Sequence, residues 1–503
     1  MPDADGRLLW ALATSAFVAI IAYLVRVNQQ LSGTPEEVRR LVGPMWTPEL
    51  LRKTYERLQR NPIEYAHKLP PRLERRYIVT GGSGLVGGYI VLQLLARGTP
   101  PSHIRIVDIR RAERSDMQSG PAADEVDFAQ TDITSSASVS AAFSRPWPED
   151  AAKLPLTVFH TAAVILASDR SAHSYAFPHA VNVRGTAHVI SAARAAGASV
   201  FSATSSASIA IRPVGVWALP WATQPRDFFQ VLDTKDFERE VRGREGYFGN
   251  YPASKAVAER LVCDLDGEGF RTGTIRPANG VYGNPTDNTV GDPLSRAVMP
   301  TWVAHIAQSF VHGANVAIAH LHHEAALVRP SSLSATHPHS GRPFVVTDPN
   351  PPITYGDLYS AIRVLSRHSF TTVSLPPVLM LLISHAVEIY AELPYSLGAW
   401  LSKLLPPLQG DVQHLKPGLF SITTHLVASN AEAGKPVAEG GLGYEGVLTT
   451  LEGMVLEVLE WNREHEHLGD GDGSMRKRKA YTTSVSLAQK LQKLGAVGHQ
   501  VAT

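Results

Sequence analysis

The chain has 503 residues, enough for one large α/β domain with additions or for several ordinary domains of about 100–200 residues each. Its 47 Lys and Arg residues against 46 Asp and Glu residues leave a formal net charge of +1, which excludes a global field that would attract nucleic acid or an acidic substrate. A single cysteine, Cys263, excludes an internal disulfide framework and a cysteine-based zinc site, and is typical of a reducing compartment.

The first predicted element is an apolar helix. Residues 8–25 carry no charge and lie between Arg7 and Arg26. A helix of this length spans about 27 Å, close to the roughly 30 Å hydrocarbon core of a bilayer. We therefore predict a membrane anchor over residues 1–28; a cleaved signal peptide and a buried helix are the alternatives. Positive residues are denser after the run than before it, which predicts a single-pass protein with its main body in the cytoplasm, at the endoplasmic reticulum.

Residues 29–74 are polar and contain four prolines, which predicts a helical or irregular spacer. After the spacer, strands alternate with helical patterns. The predicted strands are 77–79, 103–109, 156–160 and 200–203, and a helical pattern covers 180–196. This alternation predicts a parallel sheet covered on both faces, in a Rossmann-type doubly wound α/β fold. We assign residues 75–280 to an NAD(P)-binding domain, 281–468 to a smaller substrate-binding region and 469–503 to a flexible tail.

A glycine-rich turn joins the first strand to the first helix of this domain. Gly81, Gly84 and Gly87 have GxxGxxG spacing directly after a strand and directly before a helix. Such glycines let the backbone turn tightly and let a pyrophosphate approach the positive end of the helix. The turn therefore predicts a dinucleotide site, against the alternative of a glycine-rich turn without a ligand.

The second strand ends at Asp108, where a carboxylate would accept both ribose hydroxyls and repel a 2′-phosphate. This favours NAD as the cofactor. Arg110 and Arg111 keep NADP as the alternative, because a guanidinium could hold that phosphate. Asp132 follows a further strand end, where it could contact the adenine or serve only as a helix cap.

The catalytic pair is predicted to be Tyr251 and Lys255 in the segment YPASK, which opens a helical run. Residues four apart lie on one helix face, and a neighbouring ammonium favours the tyrosinate, as an acid/base group requires. Upstream, Ser205 and Ser206 lie where a strand ends, so a hydroxyl there could bind a substrate oxygen beside the tyrosine. The YxxxK spacing and the serine-rich turn are each common by themselves. Their position after the first half of a Rossmann fold indicates a catalytic role.

These segments, together with HTAA at 160–163, NVRGT at 182–186 and RPANGVYG at 276–283, resemble the extended short-chain dehydrogenases/reductases. Three later segments, at 310–325, 341–348 and 442–454, resemble the branch of 3β-hydroxysteroid dehydrogenases and sterol-4α-carboxylate 3-dehydrogenases. The resemblance covers residues 75–465.

The resemblance implies that Tyr251 is the acid/base, that Lys255 binds the nicotinamide ribose and tunes Tyr251, and that Ser206 polarises the substrate oxygen. Asn182 is left outside this set, since its motif is equally consistent with a structural role. The residues expected to bind the cofactor are Gly81, Gly84, Leu85, Val86, Gly87, Asp108, Arg110, Asp132, Ile133, Ala162, Tyr251, Lys255 and Pro277.

Three features lie outside the shared pattern. The gap between Ser206 and Tyr251 holds an aromatic and charged insertion expected to lie over the substrate mouth. The apolar stretch 376–408 predicts an interfacial surface or a lid, with an ordinary pair of core helices as the alternative. We do not expect a metal site at the histidines His312, His320, His322 and His323, because no carboxylate or cysteine completes a ligand set with them except Glu324.

Together these features predict a membrane-associated enzyme that oxidises the 3β-hydroxyl of a sterol, steroid or triterpenoid. A 4-carboxysterol that loses CO₂ after oxidation is the first choice, and a 3β-hydroxysteroid dehydrogenase with or without isomerisation is the second. A nucleotide-sugar epimerase or dehydratase and a non-catalytic cofactor-sensing protein are the other classes. The sequence predicts a small hydrophobic substrate and a membrane as partners, predicts no nucleic acid, and leaves homodimer formation open.

Overall fold

The computed structural model describes residues 4–118, 125–284, 287–329 and 337–466. The tail predicted to be flexible, residues 469–503, lies outside this range. The strands, in chain order, are β1 Arg76–Thr80, β2 Ile104–Asp108, β3 Asp127–Gln130, β4 Leu156–His160, β5 Ala198–Thr204, β6 Phe229–Leu232, β7 Arg271–Pro277, β8 Val281–Tyr282, β9 Val298–Thr301, β10 Ala307–Gln308, β11 Val311–His312, β12 Pro343–Val346, β13 Ile353–Thr354, β14 Thr371–Ser374 and β15 His425–Ala428.

The helices of eight or more residues are Ala4–Leu31, Pro48–Arg60, Leu85–Ala96, Ser136–Ser144, Thr186–Ala195, Asn250–Cys263, Gly313–Leu327, Tyr355–Leu365, Pro377–Leu397 and Thr450–Glu464. Shorter helical turns join them, at Glu36–Leu41, Ser115–Gln118, Glu149–Ala152, Ala176–Pro178, Gly291–Leu294, Leu419–Ile422 and Ala431–Gly434. A π-helical segment, His179–Gly185, directly precedes Thr186–Ala195.

A seven-stranded parallel sheet in the order β12-β7-β5-β4-β1-β2-β3 forms the centre of the protein. Its inner strands are buried on both faces, which explains their nearly continuous apolar sequences. The strand order changes direction between β1 and β4, and in open α/β sheets ligands bind at the carboxyl ends of strands at such a point. The predicted Rossmann-type fold is confirmed.

The boundary predicted at residue 280 does not separate two domains. The outer strand β12 and the helix Gly313–Leu327, which packs against Leu85–Ala96, belong to the Rossmann part although they follow residue 280. Conversely, β6 lies before residue 280 but pairs with β15 in a second sheet, ordered β13-β10-β15-β6. The two parts are interleaved because strands distant in sequence pair with each other.

Residues 29–74, predicted as a spacer, pack on the folded body. Leu51 and Leu58 of the helix Pro48–Arg60 are buried against the helices Tyr355–Leu365 and Thr450–Glu464. The backbone N–H of Trp46 also donates to Asp357 at 3.0 Å. The segment was predicted as a spacer because its composition is polar. Its second helix nevertheless buries an apolar stripe, in which Leu51 and Leu58 are seven residues, or two helical turns, apart.

Among the described residues, two helices are long and apolar enough to cross a membrane. The first candidate begins at Gly6 in the N-terminal helix, whose apolar stretch is not buried in the protein, and the second is Pro377–Leu397. The predicted anchor over residues 1–28 thus falls on a helix that continues to Leu31. The stretch 376–408 forms one long helix followed by a 3₁₀ turn at Ala399–Lys403.

Candidate active site

The glycine-rich turn leaves no room for side chains. Gly81 has a φ of +71°, and a Cβ there would lie 2.6 Å from the amide nitrogen of Ala162. A Cβ on Gly87 would lie 2.2 Å from the carbonyl oxygen of Gly81. The first helical turn therefore sits directly on the preceding loop, and its N-terminus, beginning at Leu85 and Val86, faces the carboxyl end of the sheet. This is the shape that a pyrophosphate requires.

Asp108 lies at the end of β2, as predicted, and its carboxylate accepts the backbone N–H of Ser83 at 3.0 Å. Burial raises the pKa of Asp108, against hydrogen bonds from the backbone of Ser83, Arg110 and Ile109 that lower it. The hydroxyl of Ser83 is buried and has no hydrogen-bond partner among the residues that the structure describes. A buried hydroxyl that lacks a partner in this cradle fits a ligand with hydrogen-bonding oxygens, such as a dinucleotide.

The two arginines that kept NADP as the alternative are engaged elsewhere. Arg110 forms an ion pair with Glu113 at 3.3 Å, and the guanidinium of Arg111 lies over the ring of Phe128, 4.7 Å from its centroid. Because Glu113 offsets the charge of Arg110, a 2′-phosphate would have to compete with a carboxylate that is already bound. The geometry around Asp108 favours NAD.

The other predicted cofactor residues lie at the same edge of the sheet, and each makes its own contacts with the protein. Asp132 accepts the backbone N–H of Thr134 at 2.9 Å and its hydroxyl at 2.8 Å, so its carboxylate caps a local turn. Ile133 is buried against Gly185, and Ala162 presses on Gly81. Pro277 ends β7. The structure thus brings these residues to one edge; Asp132 caps a turn, whereas the following helix Ser136–Ser144 is capped by Ser135.

Ser206, Tyr251 and Lys255 come together at the carboxyl end of β5. Tyr251 and Lys255 lie one turn apart on the buried helix Asn250–Cys263, and Tyr251 is only 9% exposed. The hydroxyl of Ser206 lies close enough to the phenol of Tyr251 to lower its pKa. The ammonium of Lys255 donates to the backbone carbonyl of Thr204, the last residue of β5, at 2.6 Å. Ser206 also contacts the hydroxyl of Ser208 at 2.8 Å.

The electrostatics of the pair differ from the sequence-based expectation. Burial raises the pKa of Tyr251 to about 12, and the nearby Ser206 hydroxyl lowers it only partly. Burial lowers the pKa of Lys255 to about 8, against the attraction of Glu259 that raises it. The ammonium of Lys255 is bound to the carbonyl of Thr204, and desolvation is the largest influence on the pKa of Tyr251. The tuning of Tyr251 by Lys255 stays a prediction.

A buried ion network behind Lys255 was not predicted from the sequence. Glu259, one helical turn after Lys255, accepts from Arg276 Nε at 2.9 Å and from its Nη2 at 2.5 Å. The side chains of Arg276 and Glu259 are 1% and 2% exposed, and Asp236, from the insertion, binds the same guanidinium at 2.6 Å. One signal was visible: Arg276 is a charged residue in an otherwise uncharged buried strand segment, which calls for a buried partner.

Asn182 fixes the helix that carries the catalytic pair. Its amide accepts the N–H of Val164 at 2.9 Å, donates to the carbonyl of Val164 at 3.0 Å, and donates to Ser254 Oγ at 2.9 Å. Ser254 lies immediately before Lys255 on the helix Asn250–Cys263. The contacts of this buried amide are all with the protein, which is the structural role that the sequence left open.

The histidines near residue 320 bond to protein groups. His320 bridges Ser202 and Thr204 at 2.8 Å each, His323 contacts Ser202 at 2.8 Å, and His322 contacts the carbonyl of Lys68 at 3.0 Å. Burial lowers the pKa of His323 to about 3. These contacts explain the cluster through the packing of the helix Gly313–Leu327 on the sheet.

A cavity of about 460 Å³ adjoins the start of the catalytic helix. It is lined by Phe248, Gly249 and Asn250, the three residues before Tyr251, and on its other walls by residues 213–217 of the insertion and by His385. The insertion therefore borders a cavity beside the catalytic helix, and its position over the substrate mouth stays a prediction. The cavity is large enough for a small ligand of several rings.

The model of the NAD dependent epimerase/dehydratase family matches residues 77–320. This match, the parallel sheet and the glycine-rich turn support the resemblance to the extended short-chain dehydrogenases/reductases that the motifs predicted. The family description names NAD, in agreement with the cofactor predicted from Asp108.

Curated relatives carry steroid names. The chain is 26% identical over 409 residues to 3 beta-hydroxysteroid dehydrogenase type 7 of Mus musculus, covering 76% of this chain and 95% of the relative. It is 30% identical over 262 residues to a 3 beta-hydroxysteroid dehydrogenase/Delta 5→4-isomerase of Mycobacterium tuberculosis, covering 49% of this chain and 60% of the relative. The family and these relatives support an NAD-dependent oxidoreductase.

Solved structures agree on the fold. Pal from Bacillus thuringiensis has a TM-score of 0.50 at 13% identity and covers 77% of this chain and 99% of its own. Epimerase Mth375 from Methanothermobacter thermautotrophicus has a TM-score of 0.50 at 15% identity, with 81% and 98% covered. At these identities the likeness shows the fold alone.

Proposed function

We propose that the protein is a membrane-associated, NAD-dependent dehydrogenase that oxidises the 3β-hydroxyl of a sterol, steroid or triterpenoid. The observation that carries the proposal is the buried cluster of Ser206, Tyr251 and Lys255 beside the glycine-rich turn. A binding module has no use for a buried phenol beside a serine hydroxyl, with a lysine one turn away on the same helix. The steroid names of the curated relatives supply the substrate class.

The residues that would hold the cofactor are the turn from Gly81 to Gly87, which receives the pyrophosphate, and Asp108, which receives the adenosine ribose. Lys255 would hold the nicotinamide ribose. When bound, the nicotinamide supplies a hydride acceptor for the carbinol carbon.

The side chains handle the proton. Ser206 orients the substrate hydroxyl beside Tyr251. With a pKa of about 12, Tyr251 is a phenol at neutral pH, so it first releases its own proton to solvent, and the resulting tyrosinate then takes the proton of the substrate hydroxyl. Lys255, with a pKa of about 8, stays mainly protonated at neutral pH and supplies positive charge on the same helix face. In the reverse direction the same phenol donates its proton to the ketone.

Two fates of the product separate the finer alternatives. A 4-carboxysterol gives a β-keto acid, which loses CO₂ without a further catalytic residue, and this decarboxylating reaction is the first choice. A 3β-hydroxysteroid with a ring double bond gives a ketone that an isomerase would rearrange. The bacterial relative with isomerase in its name favours this second candidate.

The membrane enters the proposal through the N-terminal helix. Its apolar stretch is long enough to cross a bilayer and is not buried in the protein. We propose that it anchors the enzyme in the endoplasmic reticulum with the catalytic part facing the cytoplasm, because positive residues follow the stretch. A nucleotide-sugar epimerase or dehydratase would share the cofactor site but would have no use for such a helix.

The deciding experiment is a substrate panel. The full chain in detergent, with NAD, is offered a 4-carboxysterol, a simple 3β-hydroxysteroid and a UDP-sugar, and NADH absorbance is followed together with CO₂ release. NADH with CO₂ supports the decarboxylating dehydrogenase, and NADH with the hydroxysteroid alone supports the second candidate. Turnover of the UDP-sugar alone, or no turnover of any compound with NADH still bound tightly, would overturn the proposal.

A further inference from the structure

The helix Pro377–Leu397 buries Leu381 and Val387 against the protein and also exposes a second apolar stripe to solvent. Its solvent-facing stripe consists of Leu379, Leu382, Ile383 and Ile389, which are between 39% and 63% exposed and follow helical spacing. The helix of a soluble protein normally turns such a stripe towards the core. An exposed apolar stripe of this length marks a surface that another apolar phase covers.

The ionisable residues of the same helix face the protein. Glu388 forms a two-pronged ion pair with Arg170, at 2.7 Å for each bond, and Glu392 lies 3.8 Å from His173. His385 stacks against Trp217 with 5.9 Å between ring centroids. Because these groups are held against the body, the helix lies along the body rather than crossing a membrane alone, and its outer stripe carries no charge.

The base of the N-terminal helix is docked onto the insertion. Arg26 donates to the carbonyl oxygens of Pro220 and Ala222 at 2.9 Å each, and Gln30 donates to the carbonyl of Ala222 at 2.6 Å. Tyr23 stacks on Trp217 with 6.5 Å between centroids. The anchor therefore meets the body through specific contacts, and the orientation of the body relative to the anchor is fixed.

The same loop exposes aromatic and apolar side chains beside the point where the anchor leaves the body. Trp221 is 77% exposed, and Trp217 and Leu219 are also exposed. Val378, at the start of the helix Pro377–Leu397, donates its N–H to Asn28 of the anchor at 3.2 Å. The exposed anchor, the loop and the outer stripe are thus continuous, and tryptophan is the residue preferred at a membrane–water boundary.

We propose that this membrane face, made of loop residues Trp217–Trp221 and the outer stripe of Pro377–Leu397, is seated in the bilayer beside the anchor, and that the adjoining cavity is the entry for a substrate held in that bilayer. The cavity is walled by Trp217 and His385 from the membrane face, by the charged residues Arg170, Arg244 and Glu245, and by residues 248–250, which directly precede Tyr251 in the chain. A hydrophobic substrate would then pass from lipid to the catalytic pair without crossing water. The seating stands on its own; the entry role rests on the proposed function.

The seating is tested by fluorescence of the full chain reconstituted into phosphatidylcholine vesicles with brominated acyl chains, which quench tryptophan inside the bilayer. Trp221→Phe should remove a measurable part of the quenchable emission. The matched control is Trp147→Phe, since Trp147 is a partly buried residue held between Arg76 and Arg105 on the body, and it should leave the quenchable part unchanged. Equal quenchable emission in wild type and Trp221→Phe would overturn the seating, as would a stable dimer that shields Trp221 instead.

The entry role is tested with the double variant Leu382→Glu/Ile383→Glu, because neither Leu382 nor Ile383 lines the cavity. Burying two carboxylates at the lipid boundary should lower kcat/KM for a vesicle-borne substrate about tenfold, while activity on micelle-presented substrate stays within about twofold. Leu50→Glu, on the helix Pro48–Arg60 away from the membrane face, should change neither activity. Equal loss in both presentations would refute the entry role. Absence of turnover with every substrate, with quenching intact, would instead refute the proposed function.

Discussion

Removing the charge of Glu259 while keeping its shape probes the buried network behind the catalytic lysine. Glu259→Gln leaves the guanidinium of Arg276, 1% exposed, without its most buried carboxylate. The new amide also turns an N–H group toward donors of the guanidinium. Breaking a buried ion pair by neutralising one partner costs about 3–5 kcal/mol, because the remaining charge stays desolvated.

A matched variant sets the scale. Asp236→Asn neutralises the other carboxylate on the same guanidinium, but Asp236 is 28% exposed and water can replace part of its contribution. We expect a loss of about 1 kcal/mol or less for this variant. Because the entropy of unfolding grows with chain length, each kcal/mol should shift the unfolding midpoint by only about 1 °C in a protein of this size. Thermal unfolding of the two proteins in detergent should therefore differ by about 2–4 °C, with Glu259→Gln the less stable.

The same substitution reaches the active site through Lys255. The attraction of Glu259 is what raises the pKa of Lys255 against burial, so its loss should move that pKa below about 8. A larger fraction of Lys255 is then neutral at pH 7.5, and NADH affinity, measured by fluorescence, should fall at pH 7.5 and recover towards pH 6.5. Equal shifts of the unfolding midpoint in the two variants would refute the reasoning. So would an NADH affinity of Glu259→Gln that falls between pH 6.5 and pH 7.5 by no more than that of wild type.

Two further predictions concern the cofactor cradle and a buried carboxyl. Gly87→Ala places a Cβ 2.2 Å from the carbonyl oxygen of Gly81, whereas Gly84→Ala places one at 3.2 Å. NADH affinity, measured by calorimetry, should therefore fall about tenfold or more in Gly87→Ala and clearly less in Gly84→Ala. The reverse order would contradict the assignment of this turn to the cofactor. Burial raises the pKa of Asp348 to about 6 from 3.8, so its contribution to stability is fully present below pH 3.8 and is lost as the pH rises through 6. Relative to wild type, Asp348→Asn should therefore gain about 2 kcal/mol between pH 4 and pH 7 in denaturant unfolding, and a difference that does not change with pH would show that Asp348 is not buried as a titrating acid.

The sequence was sufficient for the elements whose signal is local. The strand 156–160 was predicted with its true bounds, and the glycine-rich turn was placed correctly, because a strand, three spaced glycines and a helix follow each other without interruption. The pair Tyr251 and Lys255 was assigned to one helix face for the same reason: helical spacing is a local property.

Long-range pairing lay beyond the sequence. β6 pairs with β15, almost two hundred residues later, and β12 pairs with β7 from beyond the predicted domain boundary. The sequence of a strand does not reveal which other strand it pairs with, so these pairings could not be predicted. The pKa of Tyr251 was missed similarly. The lysine four residues away was visible, but the burial of both groups and the hold of Thr204 on Lys255 depend on the packed structure.

The central claim is that Tyr251 carries the proton in an NAD-dependent oxidation, and Tyr251→Phe tests it most directly. The measurement is the rate of NADH formation by the full chain with the best substrate of the panel, alongside NADH affinity by fluorescence. Loss of a positioned acid/base group predicts a fall in kcat of about 10²–10⁴, with NADH affinity nearly unchanged, because the phenol oxygen is removed and the cradle is not. A variant that keeps its turnover within a few-fold of wild type would contradict the claim.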